Sequence, residues 1–148
     1  MKQIFDAAED VWAKRKQEAW ETLGDTMTKL PVRYWEKNML FSGVSNVWWR
    51  KITGGFPATK HSSGTHPLFV LGAKGNYGFQ VCPCSSAGNI GARFIRRGCK
   101  LLLSVNVTDR DSFLVERFAF SLPMSSTFSD QPGFKGKVPE MCIHRSCK

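Results

Sequence analysis

Two stretches of the chain carry residues suited to handling a phosphate. His66 opens the run Thr65-His66-Pro67-Leu68-Phe69-Val70-Leu71, and Ser85-Ser86 closes the run Val81-Cys82-Pro83-Cys84-Ser85-Ser86. An unperturbed imidazole titrates at about pH 6.5, so His66 can take up or release a proton near neutrality. A serine hydroxyl can donate to a phosphate oxygen. Chemistry at a phosphate needs a group that moves protons and a group that stabilises the charge that develops. His66 suits either proton role, Ser85 suits the phosphate, and Ser86 stands second in line. Arg50, Lys60 and His61 lie close enough in sequence to approach the same sheet end. Arg93, Arg96 and Arg97 could follow a nucleic-acid backbone. Trp48, Trp49, Phe56 and Tyr77 could stack on unpaired bases, although burial is the commoner fate of such rings.

These residues need a scaffold, and the pattern supplies one. Phe69, Val70, Phe79 and Val81 are strand formers, and the glycines of Gly72-Ala73-Lys74-Gly75-Asn76-Tyr77-Gly78 break strands. Two neighbouring strands are expected, with His66 and Ser85 at one end. Upstream, Val47-Trp48-Trp49-Arg50-Lys51-Ile52 reads as a strand. A Gly/Ser-rich loop of about a dozen residues, carrying Lys60 and His61, separates it from His66. Downstream, residues 92–97 and 100–105 read as strands turning near Arg97-Gly98-Cys99. Residues 112–122 read as one long strand that Pro123 ends. Val138-Pro139-Glu140-Met141 is expected to begin a short terminal helix.

The first forty residues differ. Residues 2–23 lack Gly and Pro and are rich in helix formers, with Gly24 placed as a C-cap. Pro31 can start a second short helix over residues 32–37. The expectation is a helical arm, residues 1–40, before a small antiparallel barrel, residues 41–148, giving a mainly β (α+β) chain.

Charge divides the chain at the same place. Residues 1–40 hold seven Lys/Arg and seven Asp/Glu, whereas residues 41–148 hold fourteen Lys/Arg against five Asp/Glu, the whole of the net +9. A field of that sign attracts polyanions, nucleic acid above all. No apolar run approaches the ~20 residues that span a bilayer. The N-terminus is too acidic for a secretory signal, so a soluble cytoplasmic protein without membrane contact is expected. The five cysteines, Cys82, Cys84, Cys99, Cys142 and Cys147, are an odd number without a signal. That argues for reduced thiols rather than a disulfide framework. On a strand, Cys82-Pro83-Cys84 is expected to send its two thiols to opposite faces. Cys142, His144 and Cys147 crowd the tail without a second ligand pair, so no metal and no cofactor is expected.

Taken in order, these fragments resemble the MazF/PemK-like toxins, sequence-selective endoribonucleases of bacterial toxin–antitoxin pairs. The resemblance rests on residues 47–52 and the long loop, on His66-Pro67-Leu68-Phe69-Val70-Leu71, and on Val81-Cys82-Pro83-Cys84-Ser85-Ser86. It continues with Ser112-Phe113-Leu114-Val115-Glu116-Arg117 and with Lys135-Gly136-Lys137-Val138-Pro139-Glu140. It covers about residues 45–142 and leaves the arm unmatched. It implies an SH3-like barrel, a homodimer with an RNA groove at the subunit interface, an antitoxin partner, and metal-independent cleavage of single-stranded RNA. The family normally has Arg where this chain has His66 and Thr where it has Ser85. Serine keeps the hydroxyl; histidine changes the role available. Two other readings stand beside this one. The barrel could hold nucleic acid without cutting it, or the arm could dock a partner through Trp12, Trp20, Tyr34 and Trp35.

Overall fold

A computed structural model describes residues 30–58, 64–88, 90–126, 128 and 132–147. The helix expected over residues 2–23, together with Lys60 and His61, lies outside the described residues. The elements run β1 (Met39–Ser45), α1 (Asn46–Thr53), β2 (Thr65–Lys74), β3 (Gly78–Ser85), β4 (Arg93–Ile95), β5 (Ser112–Leu114), β6 (Phe120–Pro123), β7 (Gly133–Lys137) and β8 (Ile143–Arg145). Short 3₁₀ turns occupy Val32–Tyr34, Glu116–Phe118 and Glu140–Cys142. All strand pairs are antiparallel, in the order β7-β1-β2-β3-β5-β4-β8, with β6 also on β3. The expected mainly β, antiparallel architecture is found as a curled half-barrel with one α-helix among the described residues. Its outermost strands are short, five residues in β7 and three in β8.

β3 is the hinge of the curl. Along one edge it pairs with β2, from Lys74↔Gly78 to Leu68↔Pro83. Along the other, its first half pairs with β6 and its last two residues, Cys84 and Ser85, pair with β5. The single long strand expected over residues 112–122 is therefore two strands. The Glu116–Phe118 turn breaks it, and Val115 N donates to Pro83 O at 2.9 Å beside the break. The break lets one run of sequence serve both halves of β3.

Alternation along the strands sends side chains to two cores. Met39, Phe41, Leu68, Val70, Phe79 and Val81 share one with Trp35, Trp49 and Phe56. Leu40, Phe69, Cys82, Cys84, Ile95 and Leu114 form the other. Cys82 and Cys84 thus lie on the same face, contrary to the expectation, because residues two apart on a strand point the same way.

Five further expectations are corrected. Residues 47–52 are helix, not strand. Ser45 Oγ accepts from Val47 N at 3.1 Å as the N-cap, and Gly54, at φ +75°, closes the helix with its N–H on Arg50 O at 2.9 Å. Trp49 is fully buried while Val47 faces out, the asymmetry a helix gives and an alternating strand would not. Residues 100–105 form no strand, only the isolated bridges Lys100↔Val107 and Leu102↔Lys137. Ser104 Oγ and Asn106 Nδ2 instead donate to Lys135 O at 2.6 and 2.9 Å, tying this loop to β7. The terminal helix is a single 3₁₀ turn followed by β8, and the second arm helix is the turn Val32–Tyr34. Cys99 and Cys142, expected as free thiols, form a disulfide with a Cα–Cα distance of 6.0 Å. Cys82 and Cys84 remain free and buried, and burial pushes both thiols well above the ordinary range. Cys147 is free and exposed.

Candidate active site at the mouth of the half-barrel

The start of β2 and the end of β3 meet at a cavity of about 560 Å³. His66, Ser85 and Ser86 all lie in its wall. The register explains why. The β2–β3 ladder ends at Leu68↔Pro83, and two residues further along each strand stand His66 and Ser85. Its floor includes Leu40, Leu101 and Cys84, and its far wall is the loop from Asn106 to Arg110, with Lys135 from β7. The lining is therefore apolar below and rich in hydroxyl, amide and charged groups above.

His66 is the most constrained of these groups. Its Nδ1 hydrogen-bonds Asn46 Oδ1 at 2.5 Å. Its ring stands edge-on to Phe56, with centroids 4.8 Å apart and planes at 73°. Its carbonyl accepts from Trp49 Nε1 at 3.1 Å. An amide oxygen only accepts, so the imidazole proton sits on Nδ1 and Nε2 carries the lone pair. Burial holds the ring's pKa below 6.5, which keeps it neutral at pH 7. A neutral imidazole with a fixed tautomer is in the state a general base needs. Ser85 Oγ accepts from Ala87 N at 3.2 Å, leaving its own proton available to donate.

The arginines go elsewhere. Arg93 forms a two-pronged ion pair with Glu116, Nη2 to Oε1 at 2.7 Å and Nε to Oε2 at 3.1 Å, and that bond raises its pKa. Arg96 Nη1 donates to the carbonyls of Arg97 and Gly98 at 3.4 and 3.3 Å. Arg97 lies exposed, its backbone N on Asp111 Oδ1 at 2.8 Å. Arg50 sits in the last turn of α1, where a cation complements the helix dipole. None of these four lines the cavity. Of the candidate stacking rings, Trp49 and Phe56 are buried, Trp48 packs on Trp49, Phe120 and Phe128, and Tyr77 stands exposed at the β2–β3 turn.

The sequence reading missed Asn46, Asn106, Arg110 and Lys135. Asn46 had a signal: it follows the capping Ser45, and reading residues 46–53 as a helix would have placed it one turn from Trp49. Asn106 and Arg110 reach the cavity through loop packing and Lys135 from β7, long-range placements that no local pattern announces. Arg110 and Asp109 form an exposed ion pair at 3.4 Å at the rim. Among the described residues, no group of three His, Cys, Asp or Glu side chains is arranged to hold a metal ion. No helix among the described residues is long and apolar enough to cross a membrane. Compared with known proteins, the chain matches no family model, no curated protein and no solved structure.

Proposed function

We propose that this chain is an endoribonuclease of the MazF/PemK-like kind, an SH3-like barrel that cuts single-stranded RNA without a metal. The observation that carries the reading is the shared cavity of His66 and Ser85. His66 Nε2 takes the proton of a ribose 2′-hydroxyl. The oxygen attacks the adjacent phosphorus, and the bond from phosphorus to the 5′-oxygen breaks. Ser85 donates a hydrogen bond to a non-bridging oxygen as charge grows there, keeping its proton. Lys135 and Arg110 offset the phosphate charge. The imidazolium returns its proton to the departing 5′-oxygen, leaving a 2′,3′-cyclic phosphate and a free 5′-hydroxyl. A homodimer and an antitoxin belong to the same proposal.

The test is incubation of an unstructured RNA with the protein in EDTA. Cleavage leaving cyclic phosphate ends, reduced by at least a hundredfold in His66→Ala and about tenfold in Ser85→Ala, supports the reading. Intact RNA after long incubation sinks it.

A second reading has its own observation. Among the described residues His66 is the one imidazole in the cavity wall, and its Nδ1 is committed to Asn46. Base and acid would have to be the same ring. A barrel that holds RNA without cutting it fits that economy, and would show salt-dependent binding with no cleavage.

A further inference from the structure

A row of side chains leads away from Ser85 across the face of the sheet opposite the second core. Ser85 on β3 pairs with Phe113 on β5, Phe113 with Phe94 on β4, and Phe94 with His144 on β8. Directly paired residues project to the same side, so the four form one line across four strands. The ring centroids of Phe113 and Phe94 are 5.2 Å apart, and those of Phe94 and His144 are 5.8 Å apart. The flanking residues Leu114 and Ile95 point the other way, into the core. Phe94 and Phe113 belong to neither core cluster, although both are large apolar residues on central strands. Arg93 and Arg145 pair with each other across β4 and β8 and so project with Ile95 to the opposite face, Arg93 onto Glu116, whereas Arg96 and Arg97 follow β4 at the end of the row. Gly88 covers the Phe113 ring, since a Cβ there would lie 2.0 Å from its Cδ1. The open part of the row is therefore Phe94 and the exposed His144.

Aromatic rings in line are what successive unpaired bases stack on. We infer that Phe94 and His144 form a stacking platform for the bases of a single-stranded RNA whose neighbouring phosphate lies at Ser85. The inference rests on the RNA reading above and assigns the direction in which the strand leaves the cavity.

The test uses fluorescence anisotropy with a labelled unstructured RNA of ten nucleotides, in a His66→Ala background so that the RNA stays intact. Phe94→Leu keeps the apolar bulk and removes the aromatic face; it should weaken binding about tenfold, as should His144→Ala, while Phe94→Trp binds at least as well as the parent. Circular dichroism of each variant controls for folding. The platform is overturned if the parent binds RNA and Phe94→Leu and His144→Ala bind it equally well, a result that leaves the cavity reading standing. It is also overturned if Phe94→Leu weakens a duplex of the same length as much as the single strand. No binding by the parent removes both.

Discussion

At the scale of single residues, His66 is set by three neighbours drawn from α1 and the turn after it. Asn46 fixes its proton, Phe56 its ring edge, and Trp49 its backbone. Burial favours the neutral ring, so the folded chain binds fewer protons at this position than the unfolded chain does. Stability therefore rises with pH through the window below the ordinary value of 6.5 and falls on acidification. The melting temperature, followed from about pH 7.5 down to about pH 5, should drop less steeply in His66→Gln than in the parent. If the chain cleaves RNA, the rate should hold at neutral pH and fall on the acid side, as the base takes up a proton.

At the scale of elements, the chain mixes readable and unreadable parts. The β2–β3 pair followed from its own composition, since Phe69, Val70, Phe79 and Val81 flank a glycine-marked turn, and with it came the meeting of His66 and Ser85. The segment of residues 47–52 misled, because tryptophan and β-branched residues favour strands; Ser45 and Gly54, an N-cap and a left-handed C-cap on either side of eight helical residues, outweigh that preference. Leu101, Leu102 and Leu103 look like a strand in isolation. Nothing local reveals that Leu103 takes a positive φ or that Ser104 reaches Lys135 O. That loop depends on Gly136, which sits at φ +137°, where a Cβ would meet Ser104 Oγ at 2.5 Å and Leu101 Cβ at 2.6 Å. Gly136→Ala should cost about 2–3 kcal/mol from strain and crowding, read as a lower denaturant midpoint at constant m-value. The same variant should disturb the cavity wall, because Lys135 is its neighbour.

At the scale of the whole molecule, the disulfide is the feature least legible beforehand. An odd number of cysteines pointed to free thiols. The fold instead brings Cys99, after β4, against Cys142, before β8. A cross-link over 43 residues restricts the unfolded chain by an amount worth up to about 4 kcal/mol in the chain-entropy account. Removing both sulfurs in Cys99→Ala/Cys142→Ala, or reducing the parent, should lower the unfolding midpoint by similar amounts; an unchanged midpoint under reductant would show that the bond contributes nothing. The uneven charge of the chain acts at this scale too. Binding to any polyanion should weaken steeply with salt, with a slope that counts the cations engaged.

The two terminal strands of the sheet have a consequence for self-association. β8 offers three residues of backbone, and β7 offers five, one of which, Lys137, already bridges Leu102. Among the described residues these two rims offer short stretches of backbone to a neighbouring copy, which disfavours edge-to-edge pairing there. Substitutions along these two rims are therefore expected to affect self-association less than substitutions on the broad faces, a difference that sedimentation of each variant by analytical ultracentrifugation would read.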